Sequence, residues 1–171
     1  MHPVEVKRQL SNMVCLVDTR EQDTVRARKR LDSIGLPIER VTLPFGDFSA
    51  RCECLDLRDA VVIERKMDLD EIAHCYCQDR KRFEREFERA KQANAKVYLL
   101  IENGDWEKVY AGVYRSQMKP ESLVASMTAW LSRYNCQILF CKEETSGQLI
   151  HDVLYRELKE RLEALPNEPT S

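Results

Sequence analysis

The residues with the clearest capacity for chemistry are Asp47 and, further along the chain, Glu64, Arg65 and Lys66. Residues 61–63, just before Glu64, form an apolar β-branched run that predicts a buried strand. Because side chains alternate along a strand, Glu64 and Lys66 point to one face and Arg65 to the other. A carboxylate and an ammonium group therefore share one face at the end of this strand.

A hairpin would bring Asp47 to the same place. Residues 48–54 alternate loosely and are predicted to pair with the strand at 61–66 through a turn at 56–59. Two carboxylates can then hold a hard divalent cation, Mg or Mn, while Lys66 orients or helps to deprotonate an attacking water. The spacing favours a hydrolytic phosphodiesterase over the simpler interpretation of two surface carboxylates near a turn.

The elements predicted around these residues place further acids at strand ends. Residues 13–17 predict a strand that ends at Asp18, and in open α/β sheets functional sites gather at the carboxyl ends of strands. A helix is predicted over 24–34 with Asp23 as its N-cap. Asp18 is therefore expected at the same edge of the sheet as Glu64.

The rest of the chain predicts an α/β fold with a central mixed sheet of about five to six strands and helices on both faces. Further strands are predicted at 38–43, 97–101 and 136–141, and helices at 3–11, 68–73, 79–93, 120–134 and from about 145 or 147 to 165. The apolar stripe of the last helix is longer than a small core requires. This surplus suggests packing against a second subunit or along its own domain.

Length and composition favour a soluble intracellular protein, cytoplasmic if it is bacterial or viral. A chain of 171 residues that is 43% hydrophobic is ordinary for one globular domain. No apolar run approaches the ~20 residues that cross a bilayer, and the N-terminus lacks a signal peptide's apolar stretch. We expect a single domain over residues 1–165 and a disordered tail at 166–171.

Charge and cysteine content leave the partner open. The net charge is −2, from 27 basic and 29 acidic residues, which neither supports nor excludes nucleic acid. The seven cysteines are odd in number and are interpreted as reduced thiols. Cys52-x-Cys54 and the group at 74–77 have shorter spacings than structural zinc sites favour. Cysteines used as small hydrophobic residues are therefore the preferred interpretation over zinc.

Two regions combine basic residues with positions suited to a nucleic acid. Aromatic residues in the segment 106–119 are interleaved with Arg115 and Lys119, a mixture typical of strand binding by stacking and charge. Packing in the core is the commoner role of such aromatics. Arg80 begins the helix predicted at 79–93, where it either meets a backbone phosphate or belongs to a solvated helix face.

Asp, a long gap and then Glu-x-Lys is the pattern of the PD-(D/E)XK nuclease superfamily. The fuller string, Gly46-Asp47 followed by Glu64-Arg65-Lys66-x-x-x-Asp70, resembles the signature of the XPF family of structure-specific DNA endonucleases. Residues 17–21, with the sequence VDTRE, also resemble the first strand end of that family, which carries Asp-x-Arg-Glu. Three motifs in this order, within residues 13–102, make the resemblance specific.

This resemblance implies a restriction-endonuclease-like fold in the compact single-domain form found in bacteria and their viruses. It also implies Mg or Mn with no organic cofactor, branched DNA as the partner, a homodimer and no membrane. The candidate residues are Asp47, Glu64, Lys66, Arg65, Asp18 and Glu21 for catalysis, Asp47, Glu64 and Asp18 for metal binding, Arg20, Arg80, Arg115 and Lys119 for DNA binding, and Gly46 and Asp70 for structure.

Three functions remain open. The first is a metal-dependent endonuclease that cleaves DNA near branches, flaps, forks or junctions in repair or recombination. The second is a non-catalytic DNA-binding or scaffold partner of the same fold, and the third is a four-way-junction resolvase or restriction-type nuclease. For Asp18, Glu21 and Arg20, ligation or catalysis and a purely structural ion pair are both compatible with the sequence.

Overall fold

A computed structural model describes residues 1–166 of the chain. Its elements are α1 (Pro3–Ser11), β1 (Val14–Asp18), α2 (Val25–Ile34), β2 (Ile38–Val41), β3 (Phe48–Arg51), β4 (Val61–Lys66), α3 (Leu69–Cys77), α4 (Arg80–Gln92), β5 (Lys96–Glu102), α5 (Trp106–Ala111), α6 (Pro120–Arg133), β6 (Cys136–Cys141) and α7 (Ser146–Ala164). A single 3-10 turn, Glu143–Thr145, leads into α7. Apart from Pro166, the predicted tail lies outside the described residues.

The six strands form one mixed sheet in the order β2-β1-β3-β4-β5-β6. β1 is parallel to β2, β4 to β5 and β5 to β6, whereas β3 runs antiparallel to both of its neighbours, β1 and β4. The carboxyl ends of β1, β4 and β5 therefore lie at the same end of the sheet, where β3 begins. The predicted α/β fold with a mixed sheet is confirmed, as is the hairpin pairing of β3 with β4, in which Phe48 opposes Ile63.

Each face of the sheet carries its own hydrophobic core. Val62 packs with residues of α3, α4 and α6 on one face, around the fully buried Trp130. Val61 and Ile63 point to the other face and pack with residues of α1, α2 and α7. The alternation predicted for β4 thus decides which helix layer each of its side chains meets. Glu64 continues the row of Val62, and Arg65 continues the row of Val61 and Ile63.

One helix prediction was wrong, and for another helix the structure decides between two alternatives. The N-cap of α2 is Thr24, whose hydroxyl accepts from the backbone N–H of Ala27 at 3.1 Å, so the prediction of Asp23 was wrong by one residue. The apolar stripe of α7 is covered by the chain itself, since Ile150, Leu154 and Leu158 are each 0% exposed. The stripe therefore gives no support to a second subunit. No helix within residues 1–166, α7 included, has the length and hydropathy needed to cross a membrane.

Candidate active site

Asp47 is held in place by its backbone between β1 and β4. Its N–H donates to Ile63 O at 2.8 Å, and its carbonyl accepts from the N–H of Asp18 at 2.9 Å. Gly46 before it has φ 71°, and a Cβ there would lie 2.8 Å from Val62 Cβ, so only glycine allows this close approach. The position of the Asp47 carboxylate is therefore fixed by the turn that enters β3.

One oxygen of the Asp47 carboxylate is already oriented by the neighbouring strand. Oδ2 accepts from the backbone N–H of Arg65 at 2.8 Å, while no hydrogen bond from residues 1–166 reaches Oδ1. Burial, and then the nearby Glu64 carboxylate, raises the pKa of Asp47 well above its ordinary value. The two predicted carboxylates are therefore brought together closely enough to repel each other.

Glu64 and Lys66 form a buried ion pair on the same face of β4. Lys66 Nζ donates to Glu64 Oε1 at 2.5 Å, and the ammonium group lies 5.1 Å from the centroid of the Phe83 ring. Burial on its own would lower the pKa of Lys66, but the Glu64 carboxylate outweighs it and the pKa is raised. Lys66 is therefore a permanent cation, suited to charge stabilisation in the resting protein.

A cleft of about 570 Å³ opens over these residues at the carboxyl ends of the strands. It extends from the face that carries Glu64 and Lys66 around the end of β4 to the face that carries Arg65. The predicted site residues that line it are Arg20, Glu21, Gly46, Asp47, Glu64, Arg65 and Lys66. Asp18, Asp70, Arg80, Arg115 and Lys119 do not line it.

Asp18 has a structural environment. Its Oδ1 accepts from the backbone N–H of Arg20 at 2.8 Å and from Arg20 Nε at 2.5 Å, and its Oδ2 accepts from the N–H of Leu43 at 2.8 Å. Burial alone would raise the pKa of Asp18, but these hydrogen bonds lower it. Because both oxygens are engaged and the residue is fully buried, the geometry argues against the predicted ligation of a metal by Asp18.

On the Arg65 face, two arginines and two glutamates form an ion network. Arg30 Nε and Nη2 bind Glu102 at 2.9 and 3.1 Å, and Arg65 reaches Glu102 and Glu21 at 3.4 Å each. Arg30 is also 3.6 Å from Glu21. Within the described chain, the buried Nε of Arg65 has no hydrogen-bond partner. Sequence reasoning missed Arg30 and Glu102, although Glu102 ends an apolar strand just as Asp18 does.

The opposite wall of the cleft is formed by α4, which contributes Arg82, Phe83 and Glu86. Burial, followed by the Glu64 carboxylate, raises the pKa of Glu86. The signal for this residue in the sequence is weak, because Glu86 lies one turn after Phe83, at the border of the buried stripe of α4. A third carboxylate therefore faces the predicted pair.

Comparisons with known proteins agree with this site. The model of the ERCC4 domain family matches residues 17–153. The chain belongs to the ERCC4 domain family. Members of this family are nucleases, and the resemblance to XPF nuclease domains predicted from the sequence is thereby confirmed. The matched region includes Asp47, Glu64, Lys66 and the whole cleft.

Solved structures similar to this ERCC4 domain include XPF from Aeropyrum pernix, with 19% identity and a TM-score of 0.66 over 92% of this chain and 67% of that one. XPF from Aeropyrum pernix in complex with DNA has 21% identity and a TM-score of 0.62 over 86% of this chain and 66% of that one. The ERCC4 domain thus spans about two thirds of each, and at these identities the likeness concerns the fold. A search of curated protein sequences finds no match.

The remaining predicted residues lie on the outer parts of the ERCC4 domain. Asp70 accepts hydrogen bonds from the N–H of Arg115 at 2.7 Å and from Arg115 Nε at 2.9 Å, so it orders the loop after α5. The Arg80 guanidinium lies 5.3 Å from the ring of Trp130 and packs on the core. Lys119 is the exposed N-cap residue of α6. None of these side chains lines the cleft.

The donor atoms of the cleft suit a hard divalent cation in the ERCC4 domain. Asp47 and Glu64 offer carboxylate oxygens, the ligand type that Mg and Mn prefer. Within residues 1–166, no three His, Cys, Asp or Glu side chains are grouped so that they could hold a metal alone. A cation here would complete its shell with water and phosphate oxygens, as Mg commonly does. Cys75 also lines the cleft, but burial raises its pKa to about 11, which keeps the thiol protonated.

Proposed function

We propose that this ERCC4 domain is a divalent-metal-dependent DNA endonuclease, with residues 1–165 as one intracellular nuclease domain. The observation that supports it most directly is the meeting of Asp47 and Glu64 in one cleft, with Lys66 hydrogen-bonded to Glu64. Carboxylates that repel each other beside a single lysine leave excess negative charge, which a bound cation would neutralise.

Each residue at the centre of the cleft has a specific task in this proposal. Asp47 and Glu64 would hold Mg or Mn, which would supply Lewis acidity and activate a water molecule for attack. Lys66 stabilises the negative charge that develops on the phosphate. Arg65 fixes Asp47 through its backbone N–H.

DNA is the substrate that fits the walls of the cleft. Arg20 and Arg26 line one side and Arg82 the other, so cations lie where a phosphate backbone would pass. XPF from Aeropyrum pernix has been solved in complex with DNA, which supports the same partner here. Arg80, Arg115 and Lys119 would contact DNA further from the cleaved bond. We propose a preference for branches, flaps, forks or junctions, and a role in repair or recombination, from the family membership.

The homodimer expected from the resemblance remains a proposal. Tyr110 and Val113 are 66% and 59% exposed at and just after the end of α5. This helix lies beside the edge strand β6, since the rings of Trp106 and Phe140 are 5.7 Å apart. A second copy of the chain would cover these apolar side chains. Sedimentation of the wild type against Tyr110→Glu tests this, and an unchanged dimer would exclude the surface.

The decisive test of the proposed function is Asp47→Asn with Mg or Mn supplied. We expect cleavage of branched DNA to be lost while DNA binding is kept, because the amide removes a ligand and leaves the basic walls intact. Asp59→Asn, on the exposed turn before β4, is the control and should cleave normally. Full activity of Asp47→Asn would refute the assignment. Cleavage of flap, fork, four-way junction and plain duplex then separates a flap endonuclease from a resolvase.

A further inference from the structure

The ion pair of Arg30 and Glu102 is unusually buried for a feature at the rim of a cleft. Arg30 is 6% exposed and Glu102 0%, and the guanidinium binds both carboxylate oxygens. Withdrawing two charges from water costs more than an ordinary apolar contact would, so stability alone gives a weak reason for this pair.

The pair is joined to Asp47 through one residue. The side chain of Arg65 reaches Glu102 on one face of the sheet, while its backbone N–H donates to Asp47 Oδ2 at 2.8 Å at the sheet edge. Any movement of the Arg65 side chain therefore acts on the strand end that orients Asp47. A continuous set of polar contacts leads from Arg30 to the carboxylate proposed to bind the cation.

Arg30 is itself fixed by the packing of α2 against α7. A Cβ at Gly147 would lie 2.5 Å from Arg30 O, so the two helices touch at a position where any larger residue would separate them. Ser146, the first residue of α7, places its Oγ 3.2 Å from Arg30 Nε. The guanidinium of Arg30 is thus anchored by two helices before it meets Glu102.

We propose that Arg30 and Glu102 are positioning residues of the active site, which hold Arg65 so that its backbone N–H keeps Asp47 Oδ2 in place and leaves Oδ1 free for a cation. This inference rests on the proposed function for the identity of the ligand. It assigns no contact with substrate to either residue. Their effect on catalysis passes through Arg65 and Asp47.

The test compares Glu102→Gln with Glu157→Gln, since both glutamates are buried, ion-paired and linked to β5, Glu102 at its last residue and Glu157 through Lys96 at its first. In Glu102→Gln we expect the dissociation constant for Mn²⁺, measured by calorimetry without DNA, to rise about tenfold to a hundredfold, as is usual when a group behind a metal ligand is altered. The kcat for cleavage falls while KM for DNA is kept. Glu157→Gln should leave all three values unchanged.

Amide hydrogen exchange gives a readout that a general loss of stability would not mimic. In Glu102→Gln the N–H of Arg65 should exchange faster than the fall in global stability explains, while amides within β5, such as those of Tyr98 and Leu99, should lose protection only by as much as that fall. Arg30→Lys, which preserves the charge but loses the bidentate grip, should show the same changes to a smaller extent and serves as the test if Glu102→Gln does not fold.

The outcomes separate this inference from the proposed function. Equal Mn²⁺ affinity and equal Arg65 exchange in Glu102→Gln and Glu157→Gln would overturn the positioning role even if the wild type cleaves DNA. A wild type that binds Mn²⁺ but cleaves none of the DNA forms would overturn the endonuclease. In that case the exchange of the Arg65 amide still decides whether Arg30 and Glu102 position Asp47.

Discussion

The two ends of β5 are each linked to a buried ion network, and the two networks differ in how well their charges are satisfied. At the first residue, Lys96, the Glu157 carboxylate accepts hydrogen bonds from Lys96, Tyr98 and Arg161. At the last residue, Glu102, the contacts of Arg65 are long and its buried Nε has no partner within residues 1–166. Fully paired charges are typical of a structural role, whereas incompletely paired charges at a cleft are typical of a ligand-binding or catalytic site.

The pKa values follow the same division. Burial alone would raise the pKa of Glu157, but its three hydrogen-bond donors lower it. At the cleft end, burial and the Glu64 carboxylate both raise the pKa of Asp47, and no described cation contacts its Oδ1. Glu157 is thus stabilised as an anion in the folded protein. The ionised form of Asp47 is destabilised, and a bound metal ion would stabilise it.

Glu64→Gln should produce the largest difference in DNA cleavage between the two ends of β5. Loss of a carboxylate at the proposed cation site removes several kcal/mol of charge stabilisation, so we expect DNA cleavage to fall about a hundredfold to ten-thousandfold. Glu157→Gln changes an equally buried glutamate outside the cleft and should leave the cleavage rate within about twofold of the wild type. Loss of a group that acts in the transition state would lower the rate far more. Single-turnover cleavage of a flap substrate measures both. Comparable losses in the two variants would remove the distinction between the ends.

The free energy of unfolding should show a smaller difference of the same sense, with the larger loss again at the cleft end. Glu102→Gln leaves Arg30 and Arg65 without their shared carboxylate, and breaking a buried ion pair costs about 3–5 kcal/mol. Glu157→Gln should cost less, because Lys96 and Arg161 are partly exposed and can be solvated. Urea unfolding without metal gives both free energies of unfolding. A larger loss in Glu157→Gln would contradict the burial argument.

How far the sequence predicts this molecule depends on the kind of element. Strand alternation was sufficient to bring Glu64 and Lys66 to one face, and the predicted hairpin of residues 48–54 with 61–66 brought Asp47 to them, because side-chain alternation and short connections are local properties. Glu102 could have been found by the same reasoning, as a charged residue that ends an apolar strand. The signals for these residues were present in the chain.

Arg30 and Glu86 illustrate what the sequence does not contain. Both lie on helices rich in charged residues, where any one position resembles a solvated face. Which of these side chains is buried depends on how α2 approaches α7 and how α4 lies over the sheet, and these are tertiary distances. The close contact at Gly147 and the full engagement of Asp18 by Arg20 and Leu43 are likewise visible only in three dimensions.

The smallest expected difference between Asp47 and Glu157 is in how protein stability depends on pH. Because the pKa of Asp47 is raised above its ordinary value of 3.8, the folded state holds a proton that the unfolded state releases first, and stability is lost as pH rises through the raised pKa. Asp47→Asn cannot ionise, so it should be more stable than the wild type near neutral pH in EDTA, and the gain should vanish below about pH 4.

Glu157, with a lowered pKa, contributes stability above its ordinary value of 4.5 that is lost as pH falls. Glu157→Gln should therefore differ most from the wild type at neutral pH, as a loss. Thermal unfolding at a series of pH values tests both signs, and a destabilised Asp47→Asn at neutral pH would show that the Asp47 carboxylate is not held under electrostatic stress.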